Sequence, residues 1–229
     1  MSTKVLVVVA HPDDEVLGCG GSMAKWAQAG NDVHVIILSE GITSRDDIRD
    51  RNKRQTELSA LAKSAVKSAD ILSLKSINLF DFPDNRMDSI HLLEVVKKIE
   101  SVVDELKPDH VVTHHGGDLN IDHRIVHQAV ITACRPIPDH PVKRILTFES
   151  PSATEWQFSS AKNIFSPNWF EDISRTLDFK IKALKAYQSE IREWPHARSV
   201  KAVEHLAKWR GATVGCEAAE GFYLVRGIY

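Results

Sequence analysis

Two clusters of polar residues contain most of the side chains in this sequence that could hold a metal ion or move a proton. The first, HPDDE, places His11, Asp13 and Asp14 directly after the apolar run VLVVVA, and the second, HHGGDLNIDH, runs from His114 to His123. Catalytic divalent metals typically take three protein ligands from histidine and carboxylate and keep one position open for water. His11 and Asp14 are suited to supply two ligands from one loop and His123 the third, which leaves Asp13 free to accept a proton.

The HPDDE stretch also has a simpler interpretation as a turn before a helix. Pro12 would stiffen the turn, Asp13 or Asp14 would cap the helix, and Glu15 would lie near the positive end of the helix dipole. A metal site is favoured over this interpretation only if the fold brings the second polar cluster to the same place.

Strand-like and helix-like patterns alternate along the chain. Strands are predicted at 5–10, 32–40, 77–80 and 109–115, and helices at 20–30, 49–63 and 91–106. This alternation is typical of an α/β fold with a parallel sheet covered by helices on both faces. Ligands bind such sheets beyond the carboxyl ends of the strands, and both polar clusters follow a strand directly. We therefore expect the two clusters to meet at one edge of the sheet.

Composition limits the classes of function. The 229 residues suit a single α/β domain over 1–229, whose Pro- and Ser-rich segment near 136–168 is the least regular part. The net charge is −2 without a long run of one sign, so no nucleic-acid binding is expected. Apolar runs are too short for membrane insertion, and we expect a cytoplasmic protein. Three cysteines without a CxxC pair argue against a disulfide framework or a structural zinc site.

The glycines after HPDDE suggest a second kind of ligand site, a dinucleotide-binding loop. The stretch Gly18-Cys19-Gly20-Gly21 lacks the third glycine of GxGxxG, because Met23 stands at that position. We interpret these glycines as positions where a helix packs closely against a strand.

Six stretches occur along the chain in this order: HPDDEVLGCGG, ILSEGITSR, Arg54-x-x-Glu57, LFDFPDNRMD, GDLNIDHRIVHQAV and YQSE…PHARS. Together they resemble the PIG-L/LmbE-like family of metal-dependent N-deacetylases, which includes the enzymes that act on N-acetylglucosaminyl-phosphatidylinositol and on mycothiol and bacillithiol precursors. The resemblance covers most of the chain and implies a Rossmann-like, mostly parallel sheet. It also implies a zinc site at the carboxyl edge of that sheet and hydrolysis of an N-acetyl group on a sugar, with Fe²⁺ left open as the native metal.

The resemblance assigns roles to individual residues. It makes His11, Asp14 and His123 the metal ligands and Asp13 the general base. Many members have a histidine where this sequence has Asn120, and an amide donates a hydrogen bond to an oxyanion but does not carry a proton near neutral pH. Either Asp13 returns the proton that it took, or another histidine enters the site.

Other polar residues have weaker expected roles. His196, in the PHARS segment, is the first candidate for the missing acid. Arg54 matches a family position near the substrate, although an ion pair with Glu57 three residues on is an equal alternative. Asp122 is expected to orient its surroundings rather than bind the metal. His127 is not expected to reach the metal, since an HExxH motif would need glutamate where this chain has Arg124.

The expected substrate is a small N-acetylated amino sugar or nucleotide-sugar, used for example in surface-polysaccharide biosynthesis, and one tryptophan could stack on its ring. The alternatives are a thiol-cofactor precursor of the bacillithiol or mycothiol type and a non-catalytic sugar-binding role. Fe(II) oxygenases and receiver domains share parts of the pattern but fit the α/β order or the chain length less well. A homo-oligomer stays open, since a partner subunit could supply His196.

Overall fold

The structure is a computed structural model that describes residues 2–158, 160 and 163–228. Seven strands and six α-helices occur in these residues. The strands are β1 (Lys4–Val9), β2 (Asp32–Ser39), β3 (Ser76–Phe82), β4 (His110–His114), β5 (Arg144–Phe148), β6 (Trp169–Asp172) and β7 (Ala219–Gly227). The helices are α1 (Asp14–Gln28), α2 (Gln55–Leu72), α3 (Leu92–Leu106), α4 (Ile121–Ala133), α5 (Leu177–Ala186) and α6 (Val200–Val214). No helix among the described residues has the length and apolar character needed to cross a membrane.

All seven strands form one sheet in the order β3-β2-β1-β4-β5-β7-β6. The pairs among β1 to β5 are parallel, whereas β7 runs antiparallel to β5 and β6 antiparallel to β7. From β1 the chain moves outward through β2 and β3 and then returns to place β4 on the other side of β1. The carboxyl ends of β1 and β4 therefore flank a topological switch point, the place where open α/β sheets bind ligands.

The central strand β1 is buried on both faces, as its continuous apolar run indicates. Val5, Val7 and Val9 pack in a core cluster with residues of α1, α2 and α5, whereas Leu6 and Val8 pack in a second cluster with residues of α3 and α4. Alternate side chains of a strand point to opposite faces, so both faces need helices to cover them. The predicted fold class, a mostly parallel sheet with helices on both faces, is confirmed.

Two predicted helices differ in extent from those in the structure. The helix predicted at 49–63 is displaced, since α2 begins at Gln55. Residues 49–54 lie outside the helix, and Arg49 Nε donates to Glu40 Oε1 at 2.7 Å. The helix predicted at 20–30 begins earlier, as α1, and is broken at Cys19 (φ −146°).

The glycines of α1 allow close packing, as the sequence indicates. A Cβ atom at Gly18 would overlap the Phe148 ring of β5, and one at Gly21 would overlap Ile173. The segment near 136–168 contains β5, and its described remainder forms turns and extended chain, including a turn at 151–156 beside the cavity described below.

Candidate active site

Three candidate ligands meet beyond the carboxyl ends of β1 and β4. Nδ1 of His11 lies 3.2 Å from Asp14 Oδ2 and 3.3 Å from His123 Nε2, and that Nε2 lies 3.2 Å from the same carboxylate oxygen. Zinc bound to nitrogen or oxygen at about 2.0–2.1 Å in a tetrahedral site has its ligand atoms about 3.3–3.4 Å apart. The three atoms thus outline one face of a tetrahedron of the size that zinc requires, and two imidazoles with one carboxylate are a donor set that suits this ion.

Each histidine of this triangle also faces a second carboxylate with its other ring nitrogen. His11 Nε2 lies 3.0 Å from Asp122 Oδ2, and His123 Nδ1 lies 3.2 Å from Asp118 Oδ1. Carboxylates in this position fix the orientation and tautomer of metal-binding histidines. Asp122 is therefore placed to orient the His11 ring, as the sequence predicts. Asp118 is placed to orient the His123 ring in the same way, and the sequence analysis did not name it.

A second group of candidate ligands shares His11. Asp84 Oδ1 lies 3.4 Å from His11 Nε2, next to the contact with Asp122. Both carboxylates already accept backbone N–H bonds, Asp84 from Ser44 and Asp122 from Asn85 and Met87. We interpret this group as support for the His11 ring rather than as a separate metal site.

The triangle holds its charges in a way that favours a bound cation. Burial lowers the pKa of His123, but Asp14 and Asp118 outweigh burial and raise that pKa to about 9. Burial raises the pKa of Asp14, but the charge of the neighbouring His123 and the hydrogen bond from the His11 side chain outweigh burial and hold that pKa well below its usual range. Protonated imidazoles thus stabilise the buried carboxylate, and a divalent cation in their midst would replace that positive charge.

Asp13 occupies the N-cap position of α1 without capping the helix. Its backbone is left-handed (φ 106°), which is unusual for a residue other than glycine, and its side chain makes no capping hydrogen bond. The Asp13 N–H donates to Glu15 Oε2 at 3.1 Å, and the hydroxyl of buried Tyr187 donates to Glu15 Oε1 at 2.6 Å. The capping interpretation of HPDDE is therefore wrong for Asp13, whose carboxylate instead borders a cavity.

That cavity, of about 400 Å³, has the metal triangle in its wall. Asp13 also lines it, and Arg198 Nη1 lies 3.4 Å from Asp13 Oδ2. Burial raises the pKa of Asp13 well above its usual range, and Arg198 opposes that effect. The candidate metal triangle, the separate carboxylate of Asp13 and the guanidinium of Arg198 thus line one cavity. A metal ion with a carboxylate base beside it is an arrangement that suits hydrolysis of an amide.

Comparison with known proteins assigns the family. The model of the PIG-L family, described as GlcNAc-PI de-N-acetylase, matches residues 6–134. The chain belongs to the PIG-L family.

Relatives of this PIG-L protein include deacetylases and one enzyme of another class. It is 31% identical to the uncharacterized deacetylase YaiS of Escherichia coli K12, over 81% of this chain and 90% of that protein. It is 28% identical to diacetylchitobiose deacetylase of Thermococcus kodakarensis, over 99% of this chain and 84% of that protein. It is 26% identical to 4-oxalmesaconate hydratase of Pseudomonas putida, over 98% of this chain and 88% of that protein.

The fold of this protein is also similar to the folds of solved structures. The structure of N,N'-diacetylchitobiose deacetylase from Pyrococcus horikoshii aligns with a TM-score of 0.77 at 21% identity, covering 99% of this chain and 85% of that one. At this level of identity the alignment establishes the fold.

Two of the weaker predicted site residues of this PIG-L protein lie away from the cavity wall. Arg54 Nε donates to Asp46 at 2.7 Å and its Nη1 to Glu57 at 3.0 Å, so the ion-pair alternative is the one that the structure shows. His196 does not line the cavity either, because its Nδ1 accepts the Arg198 N–H at 3.0 Å and its ring packs against Trp156. The PHARS segment instead contributes Arg198, a signal that the motif contained but that sequence reasoning assigned to the histidine.

Asn120 does line the cavity. It is the N-cap of α4, where its Oδ1 accepts the Asp122 N–H at 2.9 Å, and its Nδ2 donates to Asn85 Oδ1 at 2.8 Å. The capping bond fixes which side of the amide is oxygen, so the second hydrogen on Nδ2 is left to donate to a ligand.

Three other histidines in or near the second cluster lie outside the triangle, and one of them, His114, packs against it. His114 is fully buried, stacks on the His123 ring with centroids 3.9 Å apart, and accepts the Ala10 N–H on Nε2. Burial lowers its pKa well below the usual value, so it is neutral. His115 donates to the Asn163 carbonyl and His127 to the His114 carbonyl, and neither belongs to a candidate metal group among the described residues.

Proposed function

We propose that this PIG-L protein is a zinc-dependent deacetylase that hydrolyses the acetamide of an N-acetylated amino sugar or nucleotide-sugar. The observation that carries the proposal is the triangle of His11, Asp14 and His123, with edges of 3.2–3.3 Å, beside the separate carboxylate of Asp13. The similarity to diacetylchitobiose deacetylase over nearly the whole chain supports the same reaction class.

His11, Asp14 and His123 would hold the metal, which supplies Lewis acidity toward water and the amide carbonyl. The Asp13 carboxylate takes a proton from the attacking water, whose oxygen forms the new bond to the carbonyl carbon. The free N–H of Asn120 donates to the oxyanion that develops there. Arg198 favours the ionised form of the Asp13 carboxylate, in opposition to burial, and holds that carboxylate in place before the attack.

The proton for the leaving amine also comes from Asp13 in this proposal. Among the described residues that line the cavity, the only imidazoles are the ligands His11 and His123. Asp13 therefore passes the proton that it took to the amine nitrogen as the C–N bond breaks. The products are acetate and a free amino sugar, so the missing family histidine at Asn120 does not prevent turnover.

Acetate release from the zinc-reconstituted protein tests the proposed function. The panel contains N-acetylated sugars, nucleotide-sugars and a thiol-cofactor precursor of the bacillithiol type. We expect release from at least one sugar, with Asp13→Ala lowering kcat by about 10²–10⁴-fold. The matched control is Asp172→Ala, on β6 far along the sheet, which should retain activity.

Two outcomes would contradict the deacetylase proposal. One is the absence of acetate from every substrate despite one bound zinc per chain. The other is water addition to an unsaturated acid without acetate release, which is the reaction class that the name of the Pseudomonas putida relative indicates.

A further inference from the structure

Helix α1 is broken between the metal ligand that it carries and the rest of its length. Asp14 lies in its first turn, and at Cys19 the backbone leaves the helical region (φ −146°, ψ 25°), which divides a first segment, 14–18, from a second one, 20–28. Buried backbone N–H and C=O groups beside such a break need partners. The direction of the first segment therefore depends on the partners that these groups find.

A buried ion pair binds both groups of one helical hydrogen bond across this break. In a regular α-helix the Leu17 carbonyl accepts the Gly21 N–H. Here Lys180 Nζ donates to the Leu17 carbonyl at 2.8 Å. The Gly21 N–H donates to Glu220 Oε1 at 3.0 Å, and the Ser22 N–H donates to Oε2 of the same carboxylate at 2.7 Å. Lys180 and Glu220 are joined directly, with Nζ 2.5 Å from Oε1.

Both members of the pair are removed from water, since Lys180 is 3% and Glu220 4% exposed. Charged side chains are rarely buried to this degree, because their desolvation is costly even when they are paired. We propose that Lys180 and Glu220 form a positioning pair of the candidate active site, which sets the direction of the first segment of α1 and with it the place of Asp14 in the metal triangle. This inference rests on the proposed function, in which that triangle binds zinc.

Leu17 connects the pair to the residues that carry the chemistry. Its carbonyl accepts from Lys180, and its N–H donates to the Asp13 carbonyl at 2.9 Å. Asp14, in the same segment, holds its Oδ2 3.2 Å from a ring nitrogen of each ligand histidine. Functional side chains have to be held within about 0.5 Å of their working geometry, so a small rotation of this segment would open the triangle.

Helix α5 holds α1 on both sides of the break. Thr176, the residue before α5, donates from Oγ1 to the Gly21 carbonyl at 2.8 Å, one turn before Lys180. Tyr187, the residue after α5, donates from its hydroxyl to Glu15 Oε1 at 2.6 Å. The second segment of α1 is thus fixed by the first contact, and the first segment by Lys180 and Tyr187.

The glycine-rich stretch after HPDDE gives the lysine its route to the break. A Cβ atom at Gly20 would lie 3.2 Å from Lys180 Cγ and 3.1 Å from Val16 Cγ1, closer than ordinary van der Waals contact. A side chain at this position would press on the lysine stem. The glycine therefore lets the ammonium group reach the Leu17 carbonyl.

Zinc affinity, measured by competition with a chelator, tests the positioning role. Lys180→Met removes the donor to the Leu17 carbonyl, and we expect it to lower stability and to raise the zinc Kd about tenfold. The double variant Lys180→Met with Glu220→Gln leaves no unpaired charge in the core, so it should regain most of the lost stability. It should keep the raised Kd, because the Leu17 carbonyl still lacks the lysine donor.

Two control variants match the chemical change and the loss of stability separately. Lys208→Met makes the same replacement in an exposed ion pair, with Glu204, and should leave both stability and zinc affinity unchanged. Val103→Ala removes buried apolar groups from α3, in the core cluster on the other face of the sheet. It should lower stability and leave the zinc Kd within about twofold.

Recovery of zinc affinity together with stability in the double variant would overturn the inference, because the pair would then act on folding alone. An equal rise of the Kd in Val103→Ala and Lys180→Met would overturn it as well, since any loss of stability would then weaken the site. Zinc binding needs no substrate, so the positioning role is tested even where the wild-type protein binds zinc without releasing acetate. That last result contradicts the proposed deacetylase activity and leaves the positioning role intact.

Discussion

His123 Nε2 lies 3.3 Å from His11 Nδ1, although the two residues are 112 positions apart in the chain. The contact exists because β1 and β4 are parallel neighbours, so the loop after β1 and the helix after β4 begin at the same edge of the sheet. Asp14 closes the triangle from the first turn of α1. The candidate metal centre is thus a direct product of strand order.

Substitution of a triangle residue should reduce zinc binding, whereas substitution of Asp13 should reduce the reaction rate and leave zinc binding intact. His123→Ala removes one of three ligands, so we expect it to lose zinc. Asp13→Ala leaves all three ligand atoms in place and should bind zinc about as well as the wild-type protein while losing activity. Metal analysis after gel filtration measures the first effect and acetate release the second. Equal zinc loss in both variants would contradict the division of roles.

Zinc affinity should rise with pH. The pKa of His123 is raised to about 9 by Asp14 and Asp118, so below that pH the metal must displace at least one proton from the triangle. The apparent Kd should therefore fall about tenfold for each pH unit between about pH 6 and pH 8. Competition with a chelator of known pH dependence measures the slope. A Kd that does not change over this interval would show that the triangle is not the binding site.

Tyr187 should act on the rate through Glu15. Tyr187→Phe removes the hydroxyl that donates to Glu15 Oε1, and Glu15 in turn accepts the N–H of Asp13. We expect kcat to fall about tenfold with zinc content and KM unchanged, and the free energy of unfolding to fall by about 1–3 kcal/mol. The control is Tyr223→Phe, at a position on β7 that is 44% exposed. A kcat equal to that of the wild-type protein would rule out this positioning role.

Arg198 should set the acid limb of the pH–rate profile. Its guanidinium favours the ionised form of Asp13 and so opposes the rise in pKa that burial causes. In Arg198→Ala the pKa of Asp13 rises further, and activity is lost at a higher pH as the pH falls. Arg198→Lys keeps the charge and should shift less.

Arg192→Ala is the matched control for this profile. Arg192 lines the same cavity, but its Nη1 donates to the backbone carbonyls of Ser189 and Ile191. It should leave the midpoint of the acid limb in place. A shift as large as that of Arg198→Ala would mean that the cavity's overall charge, and not the contact with Asp13, sets the profile.

Local pattern was enough to predict the centre of the sheet and the residues of the triangle. The apolar run of β1 indicates a strand buried on both faces, and the two polar clusters each follow such a strand. Because parallel strands place their carboxyl ends at the same edge of a sheet, the sequence alone predicts that His11, Asp14 and His123 lie close together. The alternation of strands and helices likewise predicted helices on both faces.

The directions of several polar side chains depend on contacts with residues distant in sequence, and the local sequence pattern could not predict them. Arg198 rather than His196 reaches the cavity because Ser152 and Asp13, both distant in sequence, hold the guanidinium, while the histidine ring is held against Trp156. Arg54 is turned away by Asp46. Periodicity in a sequence reports which face of an element is buried, but the direction of a polar side chain on a loop depends on partners that only the folded chain brings near.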